Sequence, residues 1–545
     1  MQRLRRGLCA TAGAGFTALA LSAATPSAPS APSAPSASAS ASSTSASSAP
    51  NGTGEVNGVP GAQVSWAPLG LNTAPWDAAF AGAGGRALLP SLRSAGIGML
   101  RYGGGSYADE YGWQNGVDVQ RCPQGGSDAV APALGAGGCA SGSALSFGEF
   151  SDQAARLAAS TFVTVDYGTG TPAEAATWAA ASRKAPGPGV ALWEIGNESY
   201  GCWEANNWLA QPPTDYPGYV PSDTPGAAPN PTCPQKAYGS SIGTQILANS
   251  YAANARPFMT AMKAASKGAQ IGVPWAFGDG VAGAGVPDSS EWNDTVLSED
   301  SSRVGFVDAH YYPFTFSGST GGGNPTDQRV LRSLARIPGL YGQIRATLSI
   351  YDPRASVVVG ETNVSSAETT TVCKPVGALF AAGDALSWLA AGAQSIDWWD
   401  MNNYGNTGGS CTGSDFGMYT SPGGPSSSGG QRPRPATPYY GYKLASVLAR
   451  PGAVLAPLPT SDLNDVLAFQ SVLPDGKTAA AFLNTNTSRA LHVTFQAPPG
   501  IQGGSLRTWR YSAARPRIVA GTEPRSAAGG AITLPPESLT VLESS

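Results

Sequence analysis

The sequence is poor in charge, and this excludes several classes of function. Of its 545 residues only 12% are Asp, Glu, Lys or Arg, and the formal net charge is −4. A nucleic-acid-binding protein normally carries a basic patch, so we expect no nucleic-acid partner. After the N-terminal segment, no run of apolar residues approaches the length that spans a bilayer, so we expect no membrane partner.

Motifs typical of metal, phosphate and serine-hydrolase sites are also missing. The only histidines are His310 and His492, and there is no Cys-x-x-Cys pair, so we expect no metal. The glycine-rich runs are not followed by Gly-Lys-Ser/Thr, which argues against phosphate binding. The stretch GGGSYA lacks the last glycine of a Gly-x-Ser-x-Gly elbow, so Ser106 is not expected to be a nucleophile. We expect no cofactor.

The N-terminal residues do not have a globular composition. Residues 1–26 begin with the basic MQRLRRG, continue through an apolar run and end in small residues, which is the pattern of a secretory signal. Cys9 precedes the apolar run, whereas a lipoprotein cysteine would follow it. Residues 27–53 are low-complexity Ala, Ser and Pro and are predicted to be a disordered spacer. We therefore expect a secreted, extracellular protein without a membrane anchor.

The cysteines outside the signal are even in number. Seven cysteines without Cys9 leave six, and an even set in an exported chain favours disulfides. Many pairings are open to six cysteines. Closeness in sequence favours three, each of which would hold a long loop: Cys122–Cys139, Cys202–Cys233 and Cys373–Cys411.

Short apolar runs alternate with alanine-rich helical segments over residues 54–445. Such alternation predicts a parallel sheet covered by helices, and eight strand candidates predict a (β/α)8 TIM barrel, an α/β fold. After residue 446 the pattern changes to short strands separated by turns, which predicts a C-terminal β-sandwich accessory domain over 446–545 that could include strands near 54–66. The barrel candidates are residues 70–72, 99–102, 161–168, 190–198, 269–274, 304–312, 355–363 and 393–403.

Two of these strand candidates deliver a glutamate at their carboxyl ends. WEIGNE ends at Glu198 and VVVGETN contains Glu361, each after a buried-looking run. The carboxyl ends of barrel strands meet at the face where barrel enzymes build their sites. A lone glutamate is most often a solvated surface charge. Two at matching strand ends instead suit glycoside hydrolysis, which needs a proton donor and a nucleophile or base.

The motif WEIGNE resembles the acid/base motif of glycoside hydrolase clan A, the retaining (β/α)8 enzymes. In that clan the proton donor follows an Asn at the end of strand four, and the nucleophile ends strand seven. The strand count places Glu198 and Glu361 on those two strands. The resemblance implies that Glu198 is the acid/base, Glu361 the nucleophile and Asn197 the partner of the substrate 2-hydroxyl. It also implies cleavage of O-glycosidic bonds by double displacement.

Further segments resemble the α-L-arabinofuranosidase branch of the clan. LRYGGGSYADEYGWQNG (100–116) is similar to its Arg-x-x-Gly-Gly segment, and VDAHYYP (307–313) to its strand-six His-x-Tyr. The second match implies that Tyr312 hydrogen-bonds the nucleophile. The expected substrate is therefore an α-L-arabinofuranoside of a plant or cell-wall polysaccharide.

Other candidates have two interpretations each. Arg101 is either a barrel salt bridge or a site cation beside the nucleophile. Asp109 is either a loop charge or a ligand of a sugar hydroxyl, and His310 is either a packed strand residue or a substrate contact. Trp398 and Trp399 are adjacent on a strand and face opposite sides, so only one of them lines the site, and the sequence leaves open which.

The substrate has alternatives as well. The glycine run of RYGGG lacks the preceding proline usual in arabinofuranosidases, and the segment between Glu198 and Glu361 is long. These departures keep β-xylosidase, β-glucuronidase and endo-glycanase activities open. A non-catalytic carbohydrate-binding protein is the rival from another class. In every case the expected partner is a carbohydrate, and no obligate protein partner is evident.

Overall fold

A computed structural model of the chain provides the architecture. The residues that it describes are 52–114, 117–118, 145–187, 189–201, 203–204, 234–235, 240–278, 286, 288–314, 325–367, 369–402, 411, 415–420, 433–498, 501, 506–523 and 530–544. The predicted secretory signal and residues 27–51 of the predicted spacer lie outside these ranges.

The strands are numbered in chain order. They are β1 (Thr53–Val56), β2 (Val59–Gln63), β3 (Leu69–Thr73), β4 (Met99–Tyr102), β5 (Tyr111–Gly112), β6 (Val117–Asp118), β7 (Ser160–Val165), β8 (Leu192–Ile195), β9 (Gln270–Trp275), β10 (Phe306–Tyr311), β11 (Ser356–Thr362), β12 (Ser395–Trp398), β13 (Val454–Pro457), β14 (Val466–Val472), β15 (Thr478–Asn484), β16 (Leu491–Thr494), β17 (Leu506–Ser512), β18 (Arg515–Glu523), β19 (Ala531–Leu534) and β20 (Ser538–Ser544).

Eight of these strands form a closed parallel barrel. Around the barrel the order is β3, β4, β7, β8, β9, β10, β11 and β12, which pairs back with β3. Each strand therefore pairs with the next barrel strand along the chain, as in a TIM barrel. The predicted fold class is confirmed, and all eight strand candidates occur. Strand β11 is buried along its whole length, as its continuous apolar run predicts.

The α-helices that connect and flank the barrel strands are also numbered in chain order. Two of them begin with a capping box. The side chain of Ser146 or Thr171 accepts a hydrogen bond from the backbone N–H of a glutamate three residues later, and that glutamate's side chain accepts one from the backbone N–H of the cap residue. None of the described helices combines the length and apolarity needed to cross a membrane. They are α1 (Gly82–Ser94), α2 (Phe147–Leu157), α3 (Pro172–Ser182), α4 (Ser240–Ala265), α5 (Ser289–Asp300), α6 (Asp327–Ser333), α7 (Ile337–Tyr351), α8 (Pro375–Ala391) and α9 (Thr437–Leu448).

Ten strands outside the barrel build the β-sandwich that the sequence predicts, whereas β5 and β6 pair with each other in a separate two-stranded sheet. Eight strands form one antiparallel sheet in the order β1, β2, β13, β14, β15, β20, β17 and β18, and a two-stranded sheet of β16 and β19 packs on it. A separate apolar core lies between the two sheets and contains Phe482, Val493, Leu534 and Leu542. The N-terminal strands β1 and β2 thus share a sheet with the C-terminal strands.

Strand β15 joins this domain to the barrel because it is buried on both faces. Alternate side chains of a strand point to opposite faces. Ala480 and Phe482 face the core between the two sheets, whereas Ala481 and Leu483 belong to the large core that contains the barrel helices. Leu483 approaches Gly383 of α8 so closely that a Cβ there would lie 2.8 Å from its Cδ2 atom. The sandwich is therefore packed directly on the barrel.

Candidate active site

Glu198 lies just beyond the carboxyl end of the fourth barrel strand, β8. The chain leaves β8 after Ile195, turns through Gly196 at φ +72° and reaches Glu198 at φ +41°. A left-handed backbone is uncommon for glutamate, so the surrounding structure must hold this turn. Tyr251 Oη donates to the carbonyl oxygen of Ile195 at 2.7 Å and fixes the strand end. The turn places the Glu198 side chain, 12% exposed, at the mouth of the barrel.

Glu361 lies on the seventh barrel strand, β11, and both of its carboxylate oxygens are held. Arg101 Nη1 donates to Oε1 at 2.6 Å, and Tyr312 Oη donates to Oε2 at 2.6 Å. Hydrogen bonds to an ionised carboxylate are short and strong, and the two together fix its orientation. The Tyr312 contact is the one that the clan A resemblance implies. Arg101 lies beside the predicted nucleophile and also makes a buried salt bridge inside the barrel, so both of its interpretations describe it.

His310 bridges the two glutamates. Its Nδ1 atom lies 3.0 Å from Glu198 Oε1 and 3.5 Å from Glu361 Oε2, and its Nε2 atom lies 3.3 Å from Asp308 Oδ2. One carboxylate oxygen of Glu198 and one of Glu361 lie within 4.8 Å of each other. Burial alone would lower the pKa of His310, but the charges and hydrogen bonds of the neighbouring carboxylates outweigh it and raise that pKa well above its usual value.

Arg101 connects Glu361 to the interior of the barrel. Its side chain is 1% exposed, and Nη2 donates to Glu194 Oε2 at 2.9 Å and to Asn197 Oδ1 at 3.0 Å. Nη1 also donates to Asn72 Oδ1 at 3.0 Å, and Nε lies 3.9 Å from Asp308 Oδ2. Burial lowers the pKa of Arg101, but the surrounding carboxylates raise it by a larger amount. The pKa therefore lies above its usual value, and the guanidinium stays charged. The Arg101 side chain therefore contacts residues of four other barrel strands, β3, β8, β10 and β11.

Buried acids surround this cation. Burial first, and then the charge of Asp308, raise the pKa of Glu194 to about 8, although Arg101 acts in the opposite direction. Burial also raises the pKa of Asp397 well above its usual value, with a further contribution from Asp308. Asp308 Oδ1 accepts the backbone N–H of Gly360 at 2.6 Å, one residue before Glu361. The acids of the barrel interior thus hold the strand that carries the predicted nucleophile.

Asn197 is clamped by two buried carboxyl groups. Its backbone N–H donates to Asp109 Oδ2 at 3.1 Å, and its side-chain Nδ2 donates to Glu204 Oε1 at 2.8 Å. Ser106 Oγ also donates to Glu204 Oε1, at 2.9 Å. Burial, followed by neighbouring acids, raises the pKa of both carboxyl groups well above the usual values. The side-chain oxygen Oδ1 of Asn197 is occupied by Arg101, and its Nδ2 group has one further hydrogen to donate.

The remaining predicted site residues, Asp109, Trp398 and Trp399, differ in how deeply they are buried. Asp109 lies in the 3-10 helix after β4 with none of its surface exposed, so its position favours support of Asn197 over contact with a sugar. Trp398 is fully buried and packs against Phe380 and Tyr442. Trp399 is half-buried and approaches Gly105, where a Cβ would lie 2.8 Å from its Cη2 atom. Of the two tryptophans, Trp399 is therefore the one at the mouth of the barrel.

Sequence reasoning missed several members of the site. Glu204, Tyr200 and Trp203 follow Glu198 in the chain, and Asp308 and Asn72 lie on other strands, yet all of them contact predicted site residues. Among these residues, Trp203 has an exposed ring. Its Nε1 atom donates to Glu198 Oε2 at 2.6 Å. Nearness to Glu198 along the chain was the one available signal for the first three residues.

Two groups of described residues could bind a metal ion. They are Glu194 with Asp308 and His310, and Glu198 with His310 and Glu361; within each group the ligand atoms lie within 4.8 Å of one another. Arg101 already contacts Glu194, Asp308 and Glu361, which neutralises part of the charge that a cation would need. That no metal is required remains a prediction.

One of the three predicted disulfides lies within the described residues. Cys373 and Cys411 are bonded, with a Cα–Cα distance of 5.2 Å and a sequence separation of 38, and the segment between them contains α8 and β12, so the bridge does not simply hold one long loop as expected. The other two predicted pairs, Cys122–Cys139 and Cys202–Cys233, lie outside the described residues.

Comparisons with known proteins identify the fold. No protein-family profile and no curated protein sequence matches the chain. Among solved structures, the GH51 arabinofuranosidase from Xanthomonas axonopodis pv. citri superposes with a TM-score of 0.60 at 17% identity, over 89% of this chain and 97% of its own. An α-L-arabinofuranosidase from Thermotoga maritima has a TM-score of 0.60 at 15% identity, over 91% and 98%.

A third similar structure has a different activity. The family 44 xyloglucanase from Paenibacillus polymyxa has a TM-score of 0.56 at 13% identity, over 88% of this chain and 96% of its own. At such identities the likeness establishes the fold alone. The chain has the architecture of the clan A glycoside hydrolases, a TIM barrel with a β-sandwich domain. Its fold is arabinofuranosidase-like, as the sequence resemblance implied.

The buried Glu194 predicts how stability depends on pH. Its pKa is about 8 in the folded protein against an ordinary 4.5, so the folded state binds a proton that the unfolded state has released between these values. This contribution to the free energy of unfolding is complete below about pH 4.5 and is lost as the pH rises to about 8. Urea denaturation at several pH values should therefore give a shallower decline for Glu194→Gln than for the wild type. An equal dependence of the free energy of unfolding on pH in both proteins would contradict the raised pKa of Glu194.

Proposed function

We propose that the chain is a retaining glycoside hydrolase that cleaves α-L-arabinofuranosides by double displacement. The observation that carries this proposal is the pair Glu198 and Glu361, whose nearest oxygens lie within 4.8 Å at the mouth of the barrel. Retaining enzymes hold their carboxyl groups about 5–5.5 Å apart, whereas inverting enzymes leave about 6.5–9.5 Å for a water molecule. The short separation supports direct attack by one carboxylate.

In the first step Glu361 is the nucleophile. Arg101 and Tyr312 hold one oxygen each, so the carboxylate needs no reorientation to reach the anomeric carbon. As the bond from Glu361 to that carbon forms, the glycosidic bond breaks, and Glu198 gives its proton to the departing oxygen. The two glutamates have different surroundings, since Glu361 contacts a permanent cation and Glu198 contacts an indole, a phenol and a histidine.

In the second step Glu198 acts as a general base instead of a general acid. The sugar released in the first step leaves, and Glu198, now ionised, takes a proton from a water molecule that attacks the anomeric carbon. The bond to Glu361 breaks, and its electron pair returns to the carboxylate beside Arg101. Asn197 donates its remaining amide hydrogen to the 2-hydroxyl, a contact that strengthens in the transition state.

The arabinofuranoside is favoured as substrate by two observations. The segment from Arg101 to Gly104 is similar to the corresponding segment of arabinofuranosidases, and arabinofuranosidases are among the structures that superpose on the chain. The alternative within the class is endo-acting glycanase activity, which is favoured by the superposition of a family 44 xyloglucanase and a glucanase-xylanase.

The chain is also proposed to be exported, because residues 1–26 have the pattern of a secretory signal. Expression of the full chain in a secreting bacterial host, followed by N-terminal sequencing of the protein in the medium, tests this. The N-terminal residue of the exported protein is expected to lie close to residue 27. A full-length chain that stays inside the cells would refute export.

A panel of 4-nitrophenyl glycosides tests the activity. We expect the α-L-arabinofuranoside to be hydrolysed fastest, ahead of the β-xyloside, the β-glucuronide and the β-galactofuranoside. Glu361→Ala should reduce turnover by about 10⁴-fold or more because it removes the nucleophile, while binding of arabinose-containing oligosaccharides is retained. Binding without hydrolysis in the wild type would support the rival, a non-catalytic carbohydrate-binding protein. Unchanged turnover in Glu361→Ala would remove that residue from the mechanism.

Azide rescue separates the roles of the two glutamates. With Glu198→Ala, azide attacks the glycosyl-enzyme formed at Glu361, so the glycosyl azide should keep the anomeric configuration of the substrate. With Glu361→Ala, azide enters the vacated space and attacks the substrate directly, so the configuration should be inverted. Proton NMR of the two products identifies the anomers. The opposite assignment would exchange the two roles, and an inverted product from the wild-type enzyme would refute double displacement.

A further inference from the structure

Trp203 and Trp66 are the two exposed tryptophans among the described residues, and Trp203 is the one beside Glu198. Its relative exposure is 49%, whereas Trp178, Trp193, Trp292, Trp388 and Trp398 are buried. Burial of a large aromatic ring contributes strongly to stability, so a ring left half in solvent beside an active site is not explained by packing. Trp203 lies five residues after Glu198, on the loop that follows the fourth barrel strand.

Trp203 contacts one particular oxygen of Glu198. Its indole N–H donates to Oε2 at 2.6 Å, whereas Oε1 accepts from Tyr200 Oη at 3.2 Å and lies 3.0 Å from His310 Nδ1. Among the described residues, Trp203 is the one hydrogen-bond donor to Oε2. Oε1 therefore faces the interior and the nucleophile, and Oε2 faces an exposed ring.

This difference decides which oxygen of Glu198 delivers the proton. Tyr200 and His310 are both buried, so Oε1 cannot be freed without disturbing the core. Oε2 is freed when a single exposed ring moves. Approach of the glycosidic oxygen to Oε2 displaces only this exposed ring, and it brings the leaving-group sugar over Trp203.

Gly201, two residues before Trp203, leaves space for the indole ring. A Cβ at Gly201 would lie 2.2 Å from the Cε2 atom of the indole, so the ring rests directly on the glycine backbone. One edge of the ring meets Tyr200 at an interplanar angle of 78°. The exposed face that remains is an apolar surface suited to the C–H groups of a sugar ring.

We propose that Trp203 is the platform for the leaving-group sugar and that its indole N–H holds the proton-donating oxygen of Glu198 until substrate takes its place. This rests on the proposed function. In the first step the proton moves from Glu198 Oε2 to the glycosidic oxygen, the bond to the anomeric carbon breaks, and the released sugar leaves across the ring. The same surface receives an acceptor sugar when the glycosyl-enzyme transfers to a hydroxyl instead of water.

Transfer to added acceptors tests the platform. With 4-nitrophenyl α-L-arabinofuranoside as donor, the ratio of transfer product to hydrolysis product is measured with xylobiose and with methanol. Trp203→Ala should lower the ratio for xylobiose by about three- to tenfold because the stacking contact is lost. It should leave the ratio for methanol unchanged, because methanol has no ring to stack. Trp66→Ala, which removes another exposed indole at the opposite end of the barrel, serves as the matched control.

Trp203→Phe tests the hydrogen bond separately. It keeps an aromatic ring and removes the N–H, so xylobiose transfer should stay close to the wild-type ratio. The kcat/KM values of aryl arabinofuranosides should depend more steeply on leaving-group acidity, because only poor leaving groups need the proton from Glu198.

The outcomes that overturn the proposal are distinct from failure of the proposed function. An unchanged xylobiose ratio in Trp203→Ala, or an equal loss for xylobiose and methanol, would show that the ring does not bind the leaving group. An unchanged leaving-group dependence in Trp203→Phe would refute the role of the N–H. Either result leaves hydrolysis intact. Absence of hydrolysis in the wild type would instead refute the proposed function, and the platform with it.

Discussion

The guanidinium of Arg101 is the interaction on which the polar interior of the barrel depends. It contacts Glu194, Asp308 and Glu361 at once, on three different strands, and donates to two asparagines. Loss of one partner from a buried ion pair costs about 3–5 kcal/mol because the remaining charge is left uncompensated. The planar, permanently charged side chain also packs over the Phe162 ring at 5.2 Å. Arg101 is therefore both a structural centre and the support of the proposed nucleophile.

The same network makes the two glutamates unequal. Glu361 accepts one hydrogen bond from Arg101, a permanent cation, and one from Tyr312, so its orientation is fixed before any substrate arrives. Glu198 stands on a strained turn outside the strand, where its partners are neutral or titratable groups. This division of environments is what a nucleophile and a proton donor require when both are the same amino acid.

Much of this arrangement could be predicted from the sequence because it follows from local pattern. The eight barrel strands are apolar runs, and the positions of Glu198 and Glu361 follow from counting them. Helix α1 was not predicted, since its glycines and Pro90 oppose helix formation and its burial on the barrel overrides that propensity. Strand β18 was not predicted because its side chains are largely exposed and lack alternation.

The parts of the site that sequence reasoning missed depend on contacts between distant segments. Glu204 is buried against Ser106 and Asn197, and Asp308 lies between Arg101 and His310. The residues next to Glu204 do not distinguish it from a solvated charge, and the apolar run around Asp308 predicts burial without identifying its partners. The choice between Trp398 and Trp399 was open for the same reason, because alternation shows that two neighbours face opposite sides without showing which side is the core.

The order of strands in the large sheet of the sandwich determines when the protein can finish folding. The last strand, β20, does not lie at an edge but between β15 and β17, and the first strands, β1 and β2, pair next to β13. The sheet therefore remains split until residues close to the C-terminus are available. Because β15 also packs on helix α8 of the barrel, β20 pairs with a strand that the barrel holds in place.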